Sequence, residues 1–195
     1  MAAMRKVAVF GNAGGGKSTL SRRLAEATGL PLYVLDLLQF PRGYQNTQKE
    51  GGKLSNEEYL ELHHEILGKD SWIIDGYGSL ASAWERFAAA DTLIYIDLPI
   101  AAHYWGVTKR LVKGVFKNPA GWPEDTPVLQ SSLDSYRVVW LCHTRLTPKY
   151  RQLVASASAK RVHHLRSHSD MKRFLQAVVC ENKKQQPTAM PLQKS

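Results

Sequence analysis

Gly11-Asn12-Ala13-Gly14-Gly15-Gly16-Lys17-Ser18 is the stretch of this sequence that decides its fold, and it has the pattern G-x-x-x-x-G-K-[ST]. The apolar run Lys6–Phe10 comes directly before it and predicts a buried strand. After it, Ser18–Thr28 has apolar residues at helical spacing, and Gly29 ends this predicted helix. The sequence therefore predicts a glycine-rich loop between a strand and a helix.

A loop of this kind is suited to binding phosphate groups. Its glycines let the backbone approach an anion closely, and the N–H groups at the start of the helix point at that anion. We expect the Lys17 ammonium to reach the β- and γ-phosphates of ATP, and the Ser18 hydroxyl to ligate Mg²⁺, which prefers oxygen ligands. The residues predicted to bind the nucleotide are Gly11, Asn12, Ala13, Gly14, Gly15, Gly16, Lys17, Ser18 and Thr19. The alternative interpretation is a glycine-rich turn with an incidental lysine.

The rest of the chain alternates short apolar runs with helical patterns. Further strands are predicted at Leu32–Leu35, Trp72–Ile74, Leu93–Ile96 and Arg161–Leu165. Helices are predicted at Ser55–Leu67, Leu80–Ala90, Ile100–Val112, Ser131–Ser156 (with a break at Pro148) and Ser169–Val179, and a loop at Asn118–Pro127. Strands that alternate with helices predict an α/β fold of three layers, in which helices cover both faces of a five-stranded parallel sheet.

The size and composition indicate one globular domain. The chain has 195 residues, of which 44% are hydrophobic and 22% charged, and these are ordinary values for a globular protein. No uncharged apolar run reaches the roughly 20 residues that cross a bilayer, and the N-terminal apolar run is too short for a signal peptide. Cys142 and Cys180 form no metal-spaced pair and no disulfide framework. We expect one domain over residues 1–180, a disordered tail over 181–195, a cytoplasmic location and no membrane partner.

The charge is distributed unevenly along the chain. Residues 1–100 hold 10 Lys and Arg against 12 Asp and Glu, a net charge of −2, whereas residues 101–195 hold 16 against 5, a net charge of +11. A basic half of this kind favours polyphosphate, nucleic acid or an anionic surface as a partner, or it is simply a solvated basic surface. Nucleic acid is therefore a possible partner, although the sequence has no recognisable motif that reads it.

From Arg5 to about Val179 the chain resembles the adenylate-kinase-like family of P-loop proteins, and within it the nucleotide kinases labelled DNA topology modulation proteins. The segments that carry the resemblance are Gly11–Thr19, Asp36 with Phe40 and Tyr44, Trp72–Tyr77, Ala90–Thr92, Lys109-Arg110 and Arg161–Ser167. The resemblance implies an acceptor-binding insertion at about 37–70 and a lid at about 113–150. The chain departs from the family pattern at Tyr77-Gly78 and at Phe40–Tyr44, both in the expected acceptor region.

Two aspartates follow predicted strands. Asp75 should lie at the carboxyl edge of the sheet beside the glycine-rich loop, where it would hold Mg²⁺ directly or through water; the alternative is a loop cap. The next residue is Gly76 and not a water-activating glutamate, which favours transfer to a bound acceptor over hydrolysis. By resemblance, Asp36 would orient or deprotonate an acceptor hydroxyl, and the alternative is an N-cap or turn aspartate.

Basic residues would stabilise the charge that spreads over a transferred phosphoryl group. The resemblance places an arginine at the end of the helix that precedes the lid, and Arg110 is the residue that matches it. Arg86 would contact the acceptor, and Arg166 with Ser167 matches the loop that borders the base. Further candidates for phosphate contact are Arg137, Arg145, Lys149 and Arg151.

The histidine pairs His63-His64 and His163-His164 suggest a metal site only weakly. Adjacent residues on a helix or strand point apart, so neither pair chelates an ion alone. The sequence also has no His, Cys and Asp set with zinc spacing. We therefore expect no metal held by histidine.

These features favour an ATP-dependent kinase with Lys17, Asp36 and Arg110 as catalytic residues, and Ser18 and Asp75 as Mg²⁺ ligands. By resemblance the acceptor is a nucleotide or a nucleoside. The predicted helix Ser55–Leu67 is acidic, which disfavours a monophosphate acceptor and favours a hydroxyl. The alternatives are a nucleic-acid-binding P-loop protein and an ATPase without an acceptor.

Overall fold

A parallel sheet forms the centre of the molecule. The structure is a computed structural model and describes residues 4–39, 54–114 and 128–185. Within these residues the sheet has five strands in the spatial order β2-β3-β1-β4-β5, so the predicted α/β fold with a five-stranded parallel sheet is confirmed. The strands are β1 (Lys6–Gly11), β2 (Leu32–Val34), β3 (Trp72–Asp75), β4 (Thr92–Ile96) and β5 (Arg161–Leu165).

The first strand in the chain is the central strand of the sheet. β1 pairs with β3 on one side, with Val9 opposite Asp75, and with β4 on the other, with Gly11 opposite Ile96. Ligands of open α/β sheets bind in the crevice at the carboxyl ends of the strands, where the strand order reverses. The glycine-rich loop leaves β1 at this edge, between the carboxyl ends of its two neighbours.

Helices connect the strands and cover both faces of the sheet. They are α1 (Lys17–Thr28), α2 (Leu35–Gln39), α3 (Asn56–Gly68), α4 (Leu80–Ala89), α5 (Ile100–Gly114), α6 (Val128–Arg145), α7 (Thr147–Ser156) and α8 (His168–Gln185). The predicted capping box at the start of α3 is present, because the Ser55 side chain accepts from Glu58 N while Glu58 accepts from Ser55 N. Pro148 lies in the first turn of α7, so it separates α6 from α7 as predicted.

The core has two layers because alternate residues of β1 face opposite sides. Val7 and Val9 pack against α1 and α8, in a cluster with Leu24 and Phe174. Ala8 and Phe10 face the other side, which is covered by residues of α3, α4, α6 and α7. An aromatic group fills that side, and its ring centroids lie 4.4 Å (Phe10 to Phe87) and 5.1 Å (Phe10 to Tyr95 and to Tyr150) apart.

Both ends of the last helix differ from the sequence prediction. Ser167, and not Ser169, accepts from the N–H of Asp170 and caps α8. The helix continues to Gln185, five residues into the segment expected to be a tail. Asn182 donates to the Ala27 carbonyl and so holds this extension to α1, while residues 186–195 lie outside the described part of the chain.

The two segments expected to be insertions contain parts of the core. α6 and the first turn of α7 lie within the expected lid range 113–150, yet Val139, Cys142 and Tyr150 are buried. These two helices therefore pack on the sheet and on α5. Residues 40–53, in the expected acceptor-binding insertion, and 115–127, with the predicted loop Asn118–Pro127, lie outside the described residues. Among the described helices, none combines the length and the apolar character that a bilayer crossing requires.

Candidate functional site

The glycine-rich loop has the backbone conformation that its sequence predicts. Gly16 caps α1 with a φ of 85°, and Gly14 has a φ of 71°. Residues other than glycine rarely adopt either backbone conformation. Lys17 Nζ donates to the Asn12 carbonyl at 2.8 Å, so the ammonium folds back along the loop. The loop, the helix N-terminus and the lysine together form an electropositive cradle at the edge of the sheet.

Side chains hold this loop to α5 and α6. Asn12 is 3% exposed, and its Nδ2 donates to the Val139 carbonyl on α6 at 2.9 Å. His103 on α5 is also buried, and its Nδ1 lies 2.9 Å from the Ala13 carbonyl. Since a carbonyl only accepts, Nδ1 carries the proton of the His103 ring. Burial lowers the pKa of His103 to about 4, so the ring donates in its neutral form.

Backbone packing completes the attachment of the loop to α5. A Cβ on Gly106 would lie 2.0 Å from the Gly14 carbonyl oxygen, and one on Gly14 would lie 2.3 Å from the His103 oxygen. We call these contacts the P-loop clamp: Asn12 with Val139, Ala13 with His103, and Gly14 with Gly106. Sequence reasoning missed the clamp. Its only local signal is that His103 and Gly106 are three residues apart and so share one face of α5.

Asp75 lies beside the glycine-rich loop at the end of β3, where the sequence predicted it. The residue is 1% exposed, and within the described part of the chain its buried Oδ1 has no hydrogen-bond partner. Burial raises the pKa of Asp75, and the Lys17 charge and a hydrogen bond with the Ser18 side chain offset part of that effect. Ser18 and Asp75, the two predicted Mg²⁺ ligands, are therefore neighbours.

Asp36 is the second carboxylate at this edge. It lies in the first turn of α2, directly after β2, and its side chain is exposed, with other protein groups close enough to displace part of the water around the carboxylate. Burial and the negative charge of Asp75 raise its pKa, and the charges of Lys17 and Arg110 oppose this. The structure thus brings Lys17, Asp36 and Arg110, the predicted catalytic residues, together with Asp75.

Arg110 reaches the cleft from α5. The side chain is half-buried, and its Nη2 donates to Ser135 Oγ on α6 at 2.8 Å. Burial lowers its pKa, and the Asp36 carboxylate acts in the opposite direction. The neighbouring Lys109 is exposed, with its ammonium 5.7 Å from the ring centroid of Trp105. Arg110 is therefore the residue of this pair that interacts with the acidic side chains.

The donor set suits a magnesium ion. Mg²⁺ is a hard cation that binds oxygen and is usually held by one or two carboxylates together with substrate phosphates. The unpartnered Asp75 Oδ1 and the adjacent Ser18 side chain supply oxygen donors at the mouth of the loop. Asp36 adds a second carboxylate within electrostatic range.

Arg86 is not placed as the sequence suggested. Its side chain is fully buried, and Nη2 donates to the Gly76 carbonyl at 3.0 Å and to the Tyr77 carbonyl at 3.3 Å. The guanidinium therefore supports the loop after β3 from beneath, and it does not face the cleft where an acceptor would bind.

Arg151 and Arg166 belong to a second polar group at this edge of the sheet. Asp97, which follows β4, accepts from Arg151 Nε at 2.8 Å and Nη2 at 3.0 Å, and from His164 Nε2 at 2.9 Å. Arg166 Nη2 donates to His164 Nδ1 at 3.4 Å. That Arg166 and Ser167 border the base stays a prediction, and the other predicted phosphate contacts, Arg137, Arg145 and Lys149, are exposed.

The fold has relatives among solved structures. The shikimate kinase from Acinetobacter baumannii, in complex with shikimate, is 15% identical, with a TM-score of 0.57 over 94% of this chain and 96% of that one. The shikimate kinase from Bacteroides thetaiotaomicron is 18% identical, with a TM-score of 0.57 over 93% and 99% of the two chains. At such identities the similarity shows a shared fold.

Comparisons by sequence found no relative. No protein-family model matches this chain, and no curated protein matches it. The narrower resemblance to the DNA topology modulation proteins therefore stays a prediction.

Proposed function

We propose that this protein is an ATP-dependent kinase that transfers the γ-phosphoryl group to a hydroxyl of a small molecule. The observation that carries the proposal is the meeting of Lys17, Asp36, Asp75 and Arg110 at the mouth of the glycine-rich loop. The fold similarity supports it, because both relatives described above are kinases by name. A nucleoside or nucleotide acceptor is the expectation from the sequence.

The loop side of the site would hold ATP. The backbone N–H groups of the loop and the Lys17 ammonium bind the β- and γ-phosphates, and the P-loop clamp keeps the loop in shape for them. Ser18 and Asp75 would hold Mg²⁺, which neutralises part of the phosphate charge when bound. Asp75 carries an oxygen that is unpartnered within the described residues, so it can take up this role without breaking an internal hydrogen bond.

Asp36 would accept the proton of the acceptor hydroxyl. The acceptor oxygen forms a bond to the γ-phosphorus while the bond from that phosphorus to the bridging oxygen breaks, and ADP leaves with the electron pair. A general base works best when its pKa lies near the working pH, and the environment of Asp36 shifts its pKa in that direction. An acceptor that is already an ionised phosphate would not need this base.

Arg110 would stabilise the transferred group. Phosphoryl transfer spreads negative charge over three oxygens, so positively charged groups that already face it lower the barrier. Arg110 faces Asp36 from α5, and its hydrogen bond to Ser135 holds it in that direction.

The acceptor side is acidic, which favours a neutral acceptor. α3 presents the exposed carboxylates Glu57, Glu61 and Glu65. A dianionic monophosphate would be repelled by this helix, whereas a neutral hydroxyl compound would not. Gly76, in the position after Asp75, offers no carboxylate to activate water. Both features favour transfer to a hydroxyl over transfer to a phosphate or hydrolysis.

An acceptor screen tests the proposal. Purified protein with Mg²⁺ and ATP is incubated with nucleosides, nucleoside monophosphates, shikimate and sugars, and ADP release is followed. We expect release that depends on a hydroxyl acceptor, is lost in Lys17→Ala and is retained in the matched variant Lys183→Ala. Release that is equal without acceptor would mean an ATPase, and no release with any acceptor would contradict the kinase assignment.

A further inference from the structure

Three potential metal ligands converge where α3 meets α4. His63 and His64 are adjacent on α3, and Glu85 lies on α4. One ligand atom from each residue lies within 4.8 Å of the other two. We propose that His63, His64 and Glu85 form a binding site for one divalent transition-metal ion, with Zn²⁺ as the expected occupant. The site does not depend on the proposed kinase function, because none of its ligands belongs to the nucleotide cradle.

His63 supplies the independent sign of a missing ligand. Its side chain is 0% exposed, and neither ring nitrogen has a hydrogen-bond partner within the described residues. Buried polar groups are almost always partnered, so a buried imidazole with two unpartnered nitrogens needs an explanation. A metal ion bound to one ring nitrogen would supply the missing partner.

The distances suit two ligands that share one ion. His63 Nδ1 lies 3.9 Å from Glu85 Oε2, which is too long for a hydrogen bond, and His64 Nε2 lies 3.0 Å from the same oxygen. With bonds of about 2.0–2.2 Å, two ligands of a tetrahedral zinc ion lie roughly 3.3–3.6 Å apart. The two measured separations fall on either side of that range, so small side-chain rotations would complete the geometry.

The donor types select among metals. Two imidazole nitrogens and one carboxylate oxygen suit Zn²⁺ and its transition-metal neighbours, whereas Mg²⁺ and Ca²⁺ prefer oxygen donors alone. The side chains of His64 and Glu85 are 58% and 47% exposed, so an ion can enter from solvent and keep a water as its fourth ligand.

Spacing in the sequence could not show this site. The two histidines point apart by about 100° around α3, and neither pair of neighbours chelates alone. The third ligand comes from another helix, 21 residues after His64. A bound ion would link α3, which lies in the expected acceptor-binding region, to α4, which follows the loop after Asp75.

Cobalt and zinc titrations of the full-length chain test the proposal. The metal-free protein is titrated with Co²⁺ in excess Mg²⁺, so that oxygen-only sites are already filled, and the visible absorption of the bound Co²⁺ is followed before competition with Zn²⁺. We expect one equivalent to bind. His64→Ala and Glu85→Gln should each lose at least about tenfold in affinity. Both side chains lie at the surface, so both variants should fold.

Two variants serve as matched controls. His168→Ala and Glu26→Gln remove an exposed histidine on α8 and an exposed glutamate on α1, and both should keep the wild-type affinity. Zn²⁺ should also raise the Tm of the wild-type protein and of these controls, but not the Tm of His64→Ala or Glu85→Gln. The absence of one-to-one binding, or binding of equal strength in His64→Ala and Glu85→Gln, would overturn the proposal.

Discussion

Two aspartates at the carboxyl edge of the sheet lie on either side of β1 and have opposite surroundings. Asp75 ends β3, and within the described residues its buried Oδ1 has no partner. Asp97 follows β4 and accepts three hydrogen bonds, from Arg151 and His164. Burial raises the pKa of Asp75. For Asp97, burial acts in the same direction, but the hydrogen bonds from Arg151 and His164 outweigh it and lower the pKa.

The difference separates a carboxylate held for a ligand from one used by the fold. Asp97 has its partners within the protein, so its charge stabilises the native state. Asp75 has an unsatisfied oxygen next to a lysine and a serine, which costs stability until a cation binds. Local deficits of this kind are expected at functional sites. The β3 side of the edge is thus the candidate reaction site, and the β4 side is structural support.

Removing the Lys17 ammonium, on the β3 side of β1, should have the largest effect on activity. Lys17→Ala deletes the ammonium that we propose to bind the β- and γ-phosphates, and we expect phosphoryl transfer to fall by at least about 10³-fold. The Tm should change little, because within the described residues the Lys17 ammonium makes one hydrogen bond, to the Asn12 carbonyl. Acceptor-dependent ADP release and thermal unfolding measure both effects. Full turnover in Lys17→Ala would contradict the assignment of the reaction site to the β3 side of β1.

Asp36→Asn should have the second largest effect on activity. It removes the proposed base with little change of shape, and transfer to a hydroxyl acceptor should fall by about 10²–10⁴-fold. A phosphate acceptor, which needs no base, should be affected far less. Asp70→Asn makes the same chemical change at an exposed site before β3, at the opposite edge of the sheet, and should leave the rate unchanged. An equal loss for both acceptor types would mean that Asp36 acts on binding or structure.

Loss of the P-loop clamp should have a smaller effect. His103→Ala leaves the Ala13 carbonyl without its donor, and we expect the KM for ATP to rise about tenfold, the equivalent of one hydrogen bond. We expect kcat to fall by a smaller factor than KM rises, which would indicate that His103 positions the loop and does not take part in the reaction. His103→Asn, which keeps a donor near the position of Nδ1, should restore most of the affinity, and an alanine effect that asparagine does not rescue would contradict the role of the hydrogen bond.

The same histidine predicts a pH effect on stability. The pKa of His103 is lowered by burial from its ordinary value of 6.5 to about 4, so the unfolded chain binds a proton more readily between those values. The free energy of unfolding should therefore fall as the pH drops from 6.5 toward 4. This part of the pH dependence should be absent in His103→Asn when urea unfolding is measured across that range.

The smallest effects should be those of Asp97→Asn and Asp75→Asn on the free energy of unfolding, and these two effects should have opposite signs. At pH 7, Asp97→Asn should lower the free energy of unfolding by about 1–3 kcal/mol, since it weakens hydrogen bonds to a charged and buried group. Asp75→Asn should raise it or leave it unchanged, because a buried charge without a full set of partners disappears. Urea unfolding of the two variants in parallel measures this difference.

The pH dependence of stability provides the control for the comparison of Asp97→Asn with Asp75→Asn. The stability that Asp97 adds is present above the ordinary carboxyl pKa of 3.8 and is lost as the pH falls through its lower folded value. Asp75 has a raised pKa, so its effect is reversed: stability is lost as the pH rises above 3.8. If both variants destabilise equally at pH 7, the two sides of β1 do not differ as we infer.

Local patterns were sufficient to predict the fold and the place of several candidate site residues in it. The glycine-rich loop has a fixed pattern, and Asp75 and Asp36 each follow an apolar run that ends at the same edge of a parallel sheet. Asp97 follows an apolar run in the same way. Nothing in its own segment shows that Arg151, 54 residues later, and His164, 67 residues later, donate hydrogen bonds to it.

The other features that the sequence did not predict also depend on contacts between distant segments. His103 meets Ala13 across 90 residues, and no spacing rule connects a residue on α5 with the loop after β1. Arg86 was expected at the acceptor because it follows Asp75 in the chain. It turns inward instead, because the carbonyls of Gly76 and Tyr77 accept its hydrogen bonds beneath the loop. Chain order therefore predicted that Arg86 follows the loop after Asp75, but not that its side chain faces inward.

The P-loop clamp also bears on the order of events during protein synthesis. Asn12 is bound by Val139, 127 residues later in the chain. A ribosome adds about 5–20 residues per second, so the loop is made roughly 6–25 s before the helix that holds it. For the first part of that time β1 also lacks β3 and β4, its neighbours in the sheet, which follow it in the chain but precede α6. Early in synthesis the nascent chain thus carries an unpaired apolar strand, and the loop that we propose to bind ATP is not fully held until α6 has emerged.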